Sequence, residues 1–382
     1  MSNRPEIVVV GAGVIGAAIA YRLARAGAQV TLVDRGEPGQ GTSANSFAWV
    51  NSNDKPPLPY HRLNAESVVA HRRLREDVAS DLEKTSGPRT SEWLHEGGGL
   101  EWTDTEAGRQ RLLEKAARLR EWGYRIEVIT EAEVRALEPH LRLDGLTAAT
   151  FCPDEAWVDG PRFAAGLGAV AKALGATVRT GEEVVGLERN GGRITAVRLF
   201  GGERLAGDWV VIAAGRWTDR VAALAGVEVP LAPTCGLLAV TSPVAQGVSR
   251  VVHVPGMNFR PDPSGGLVLQ SGATDATVTA ETPPDPALPG CADLLQRIGR
   301  FLPGAAGARI VAARVGVRPM PADGYSIVGP VEERPGLYLC ITHSGITLSA
   351  LFGEIVAAEI TGGPPDPRLA GFRPSRCVQV RD

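Results

Sequence analysis

Residues 6–34 read EIVVVGAGVIGAAIAYRLARAGAQVTLVD, and this stretch decides the fold. Glu6 to Val10 is a short apolar run, the pattern of a parallel strand buried on both faces. Gly11, Gly13 and Gly16 follow in GxGxxG spacing. A helix is predicted next, with apolar residues at Val14, Ile15, Ala18, Ile19 and Leu23 and a stop at Gly27. A second strand, Gln29 to Val33, ends in Asp34. Strand, glycine turn, helix, strand and acid in this order form a dinucleotide-binding fingerprint. Gly11 permits the tight turn, Gly13 lets a pyrophosphate approach the backbone, and Gly16 lets the helix pack close to the strand. The helix N-terminus offers N–H groups and partial positive charge to phosphates. Asp34 accepts from ribose hydroxyls and disfavours a 2′-phosphate, which leaves NAD and FAD both open.

The rest of the chain bounds the reading. With 382 residues it exceeds the size at which one core usually stops growing, so two domains are expected. Hydrophobic residues are 44%, charged residues 22% and the net charge is −3, which excludes wholesale disorder and argues against nucleic acid as a partner. The four lysines are Lys55, Lys84, Lys115 and Lys172, so arginine carries most of the positive charge. Cys152, Cys235, Cys291, Cys340 and Cys377 are scattered and odd in number, with no CxxC. Free thiols, a reducing compartment and a cytoplasmic location are expected. The first twenty residues superficially look like a signal peptide, but the glycine positions favour strand, turn and helix, and they break any membrane span.

Residues 36–53, GEPGQGTSANSFAWVNSN, read as a loop whose hydroxyls and N–H groups reach phosphate or a ring, or as an ordinary solvated loop. Helices are expected over 61–83 and 106–122, with no sustained heptad. From Ala176, turns at Asn190-Gly191-Gly192 and Gly201-Gly202 separate strands of a meander, which ends in the apolar strand Trp209 to Ala213 and Ala214-Gly215. Alternating strands fill 227–312, with one helix near 294–301. A strand from Gly336 to Ile341 then precedes Thr342-His343-Ser344-Gly345 and a helix to about Ile360.

GAGVIG with Asp34, GTSANS (41–46), WVVIAAGRWT (209–218), GVRPMPADGYSIVG (316–329) and THSGITLSALFGE (342–354) lie in order across nearly the whole chain. Together they resemble the D-amino-acid oxidase superfamily of flavoproteins, glycine oxidase and sarcosine oxidase among them. The resemblance implies an α/β fold: a Rossmann-like FAD-binding domain with an inserted α+β substrate domain built on a large antiparallel sheet. The FAD-binding domain would be discontinuous, 1–85, 145–228 and 313–382, with 86–144 and 229–312 as the substrate domain. It implies pyrophosphate at Gly11, Gly13, Val14, Ile15 and Gly16, and adenosine at Asp34 and Arg35. Thr42 and Ser43 would face pyrophosphate, and Asn45, Ser46, Phe47 and Ala48 would run beside the flavin. Val184 would meet adenine, with Ala214 and Gly215 nearby. Gly345, Ile346, Thr347 and Leu348 would offer N–H groups to the flavin N1/C2=O edge, at a helix N-terminus that stabilises negative charge there.

Arg318 matches the arginine that holds a substrate carboxylate in such amino-acid oxidases, a pairing that suits a guanidinium fork. The alternative is a structural pair with Asp323. His343 either contacts substrate or caps the helix. Asn258 and Arg260 share a strand face, and Asn258 stands where relatives carry a substrate-contacting tyrosine. His253 lies on the preceding strand, and Trp49 and Tyr60 line the pocket roof or belong to the core. Gly316 replaces the cysteine, and no histidine nearer than His61 replaces the histidine, through which some members attach FAD, so FAD is expected to be non-covalent. Some oxidases of this kind use a lysine near the flavin to help activate oxygen; with four lysines, and only Lys55 placed nearby, the oxidase reading loses weight to a dehydrogenase. The expected activity is oxidation of an amino acid or secondary amine to the imine by hydride transfer to flavin N5, with oxygen or another electron acceptor. The alternatives are a hydroxy acid or biosynthetic intermediate as substrate, or a non-catalytic flavoprotein subunit. The oligomeric state is open.

Overall fold

The structure, a computed structural model, describes residues 4–85 and 92–381. The stretch 6–34 folds as its pattern dictates. The strand Glu6–Val10 is buried but for its first residue, the helix runs Val14–Arg25, and the second strand is Gln29–Val33. Six strands form one sheet, in the order Ile327–Pro330, Leu337–Ile341, Trp209–Ile212, Glu6–Val10, Gln29–Val33 and Thr177–Arg179. All neighbours are parallel except Ile327–Pro330, which runs antiparallel to Leu337–Ile341. Both faces of this sheet are covered, so its central strands read as continuous apolar runs.

On one face lie the helices Val14–Arg25, Gly160–Ala173 and Gly345–Ile360, with the long helix Leu58–Thr85 packed against the last. Gly345–Ile360 buries Leu348, Leu351, Phe352, Ile355 and Val356, as a helix apolar on all sides must. On the other face sits the antiparallel meander Val184–Asn190, Arg193–Leu199 and Arg204–Ala206. Its Val184, Ile194 and Val197 share a cluster with Val8, Val210 and Ile212.

A second sheet has eight strands: Ile310–Arg318, Thr234–Thr241, Leu267–Gln270, Met257–Pro261, Val251–Val254, Gly99–Thr103, Ala148–Cys152 and Glu127–Ile129. It is antiparallel except at one junction, where Val251–His253 runs parallel to Gly99–Glu101. One face packs Phe259, Leu269 and Leu237 against Leu294 and Ile298 of the helix Pro289–Phe301. The opposite face is crossed by the loop 42–48. A Cβ on Gly316 would lie 2.4 Å from Asn45 O. Thr42 Oγ1 donates to Val317 O at 2.9 Å, and Arg260 Nε donates to Phe47 O at 2.5 Å.

Ala148–Cys152 and Ile310–Arg318 pair into this second sheet. The boundaries expected at 144/145 and 312/313 therefore cut through it, because the return to the first sheet comes only at Ile327. The boundary expected at 85/86 borders 86–91, outside the described residues. A three-stranded sheet, Trp49–Val50, Ala156–Val158 and Leu94–Glu96, lies between the two large ones in sequence and shares the 42–50 segment. All five cysteines are unbridged. Among the described residues, no helix is long and apolar enough to cross a membrane.

Candidate active site

A cleft of about 550 Å³ opens where the strand Glu6–Val10 turns into its helix. Gly11 has φ +105°, and a Cβ there would come within 2.5 Å of Ala213 O, so the turn and the neighbouring strand both require glycine. Gly16 would place a Cβ 1.8 Å from Gly11 O. It does not line the cleft; its role is the close helix–turn contact. Gly11, Gly13, Val14 and Ile15 line one side, with Thr42, Ser43 and Ser46 opposite. Ser43 Oγ accepts the Val14 N–H at 3.2 Å. Asp34 is held by two backbone donors, Ala12 N–H at 2.7 Å and Gly36 N–H at 2.8 Å. Val184, Ala214 and Gly215 line the same end. Arg35 lies 4.2 Å over the Trp217 ring and 3.8 Å from Glu183 at the rim.

Pro319, Thr342, His343, Gly345 and Ile346 line the other part of the cleft, where the helix Gly345–Ile360 begins. One of the expected helix donors is committed within the helix. Leu348 N–H donates to Ser344 O at 2.9 Å, and Leu348 is fully buried, so it is not a cofactor contact. Thr347 is buried, and its hydroxyl bridges Trp49 O at 3.2 Å and Asn51 N–H at 3.3 Å. It clamps the segment Trp49–Asn51 to the helix. Asn45, Phe47 and Ala48 pass beside the cleft without lining it: Phe47 O is taken by Arg260, and Ala48, at φ +60°, is buried.

His343 is exposed towards the cleft and caps nothing; Ser344 occupies the N-cap position. The surrounding protein and the Lys55 and Arg318 cations push its pKa down, so it is neutral and lies within the field of both. Lys55 Nζ donates to Asn64 Oδ1 at 3.0 Å and Ser344 Oγ at 3.2 Å. Burial lowers its pKa to about 7. Tyr60 O–H donates to the same Ser344 Oγ at 2.9 Å, while its ring packs with Tyr325 and Phe372. Tyr60 is thus core and site support together.

Arg318 does not pair with Asp323, which is held by Arg376. Its Nη2 donates to Asp275 Oδ2 at 2.6 Å and its Nη1 to Cys235 O at 2.8 Å. Asn258 Nδ2 donates to Gln270 Oε1 at 2.6 Å, and Asn258 Oδ1 meets His253 Nδ1 at 2.7 Å. Arg260 shares that sheet face but is buried, stacked 4.4 Å over Trp157. Its bond to Phe47 O makes it a strut for the loop. Burial lowers its pKa to about 9. Trp49 lies 4.2 Å from the His253 ring, and its Nε1–H donates to Glu155 Oε2 at 2.9 Å.

A family model described as DAO, FAD dependent oxidoreductase, matches residues 6–359. The chain belongs to this family. It is 30% identical to a glycine oxidase of Pseudomonas aeruginosa, over 98% of this chain and 99% of the relative. It is 28% identical to a glycine oxidase of Geobacillus kaustophilus, over 94% and 93%. A crystal structure of glycine oxidase from Geobacillus kaustophilus superposes with TM-score 0.85 at 26% identity, covering 97% of this chain and 98% of that one. The protein is an FAD-dependent oxidoreductase with a Rossmann-like domain. The cleft fits its cofactor: glycines that no Cβ can replace border one side, an anchored acid the adenosine end, and a helix N-terminus the other. Sequence reading missed Trp217 and Arg220 at the rim, although Trp217 lies inside the quoted AAGRWT motif. It also missed Gln270, the last residue of an ordinary strand, and Asp275 just after it, neither of which carries a motif.

Proposed function

We propose that the chain oxidises an amino acid or secondary amine to its imine, using non-covalent FAD in a cytoplasmic setting. The observation that carries this is that Lys55, bonded to Ser344 at the start of the helix Gly345–Ile360, and Arg318 both lie near enough to His343, which lines the cleft, to act on its charge. FAD, when bound, supplies the two-electron acceptor for oxidising the C–N bond. Arg318 offers the donors that hold a carboxylate, and Lys55 adds a second cation beside Ser344. The helix N-terminus, built from Gly345 and Ile346, presents partial positive charge to the cleft and favours negative charge developing there. His343, held neutral, leaves an amine free to bind in its unprotonated form. Gly316 supports non-covalent attachment, since Asn45 closes over the position where a cysteine would stand. His61 is buried and bonded to Ser52, away from the cleft.

The test is the visible spectrum before and after anaerobic addition of glycine, sarcosine, proline and D-amino acids. Bleaching is expected, and admission of air then separates oxygen from another acceptor. Arg318→Ala should raise KM by about a hundredfold with FAD retained, the scale of a lost charged pair. Unchanged kinetics would refute the role of Arg318.

A further inference from the structure

Arg318 is not an isolated cation. Its guanidinium lies against Gly236, where a Cβ would come within 2.4 Å of Nη2 and 2.8 Å of Cζ. The ion pair with Asp275 therefore has a seat cut for it in the sheet. Asp275, with its side chain 13% exposed, is itself fixed: Oδ1 accepts the Leu237 N–H at 2.9 Å, and Oδ2 accepts Gln270 Nε2 at 2.8 Å besides Arg318. The carboxylate sets the orientation of a row of side chains. Gln270 turns its NH₂ to Asp275, so its oxygen takes the Asn258 NH₂, and the Asn258 oxygen faces His253 Nδ1. The row crosses three neighbouring strands, from Gln270 through Asn258 to His253, and starts from Asp275 in the short helix Gly272–Asp275.

The charges around the carboxylate seat can be counted. Arg318 contributes one positive charge and Asp275 cancels it. His343 is neutral. Lys55 Nζ donates to the neutral oxygens of Asn64 and Ser344, and while protonated, below about pH 7, it is the remaining cation among these groups. One carboxylate matches that balance; a second leaves a net negative charge beside Asp275. We propose that Asp275 is a specificity-determining residue, restricting the site to amines with a single carboxylate and rejecting dicarboxylate amines. This rests on the proposed amine oxidation.

The test uses holoenzyme and two non-reacting probes, acetate and malonate, whose binding is read from the flavin spectrum. Wild type should bind acetate more tightly than malonate. Asp275→Asn keeps the size and the acceptor but removes the charge. It should shift the malonate-to-acetate Kd ratio towards malonate by about ten- to a hundredfold, the scale of one like charge at about 6 Å in partial solvent. Asp275→Glu keeps the charge and should keep the ratio. If Asp275→Asn fails to retain FAD, Gln270→Glu, which adds a negative charge in the same row, should move the ratio the opposite way. In turnover, the same shift should appear in kcat/KM for sarcosine against iminodiacetate, which differ by one carboxylate. An unchanged ratio, or a wild type that prefers malonate, overturns the proposal. A shifted probe ratio with no bleaching by any amine leaves Asp275's role standing and removes the amine reading; bleaching with no shift does the reverse.

Discussion

Glu155 gives the most quantitative prediction. It is fully buried behind Trp49, with Oε2 accepting Trp49 Nε1–H at 2.9 Å and Oε1 accepting Tyr124 O–H at 2.8 Å. Burial raises its pKa from 4.5 to about 8, because two neutral donors do not replace the water a carboxylate loses. The folded protein then holds a proton that the unfolded chain has released, so stability falls as pH rises from about 4.5 to 8. At about 1.4 kcal/mol per unit, the full loss over that window is about 5 kcal/mol, and about 3 kcal/mol between pH 5.5 and 8. Glu155→Gln mimics the protonated acid: its oxygen faces Trp49 and its NH₂ faces the Tyr124 oxygen. The measurement is urea unfolding of both holoproteins at several pH values. The variant should lag or match wild type at pH 5.5 and exceed it relative to that baseline by about 3 kcal/mol at pH 8. Parallel stability curves would show that Glu155 is ionised across the range and refute the argument.

Gly11→Ala introduces a Cβ at positive φ, 2.5 Å from Ala213 O. The strain of about 1–2 kcal/mol, before any backbone shift, should weaken FAD binding to the apoprotein at least tenfold, read by flavin fluorescence. Gly316→Ala pushes against Asn45 O and the loop 42–48. It should cost about 1–3 kcal/mol and lower the melting temperature of the holoprotein, with the loop rather than the sheet giving way. Lys55 loses its proton near pH 7. Acetate binding should therefore weaken as pH rises through 7 in wild type and become flat with pH in Lys55→Met, as spectral titration would record.

The nucleotide half of the molecule was legible because its signals are local. Gly11 and Gly16 are demanded by contacts within a few residues or on the adjacent strand, and Asp34 sits at a fixed remove from them. The meander was equally readable from Gly191, Gly192 and Gly202, each at positive φ in its turn. The helix Gly160–Ala173 was not read, although Asp159 caps it and Pro161 opens it, because its small apolar residues resemble the glycine-rich loops around them. The domain limits shifted for a related reason. Ile310–Arg318 is continuous with the motif that leads back to the cofactor, so sequence order grouped it with that half, while its hydrogen bonds run to Thr234–Thr241.

The polar row of the second sheet was the hardest part to read, and its physics says why. Asn258, Gln270 and His253 alternate with apolar residues on their strands, the pattern of a sheet with one face in water. Here that face is covered by the loop 42–48, so the polar row must satisfy itself, and each member finds its partner on a neighbouring strand. Such partners are separated by five to twelve residues and share no motif. At position 258 an amide meets both neighbours with separate atoms, Oδ1 facing His253 Nδ1 and Nδ2 donating to Gln270 Oε1. Once Gln270 is fixed by Asp275, a residue able to pass that orientation on is needed at 258, and the charge that sets the direction is the same one that neutralises Arg318. Substrate selectivity and the internal order of the row are therefore two consequences of a single carboxylate, and a substitution at Asp275 should disturb both together.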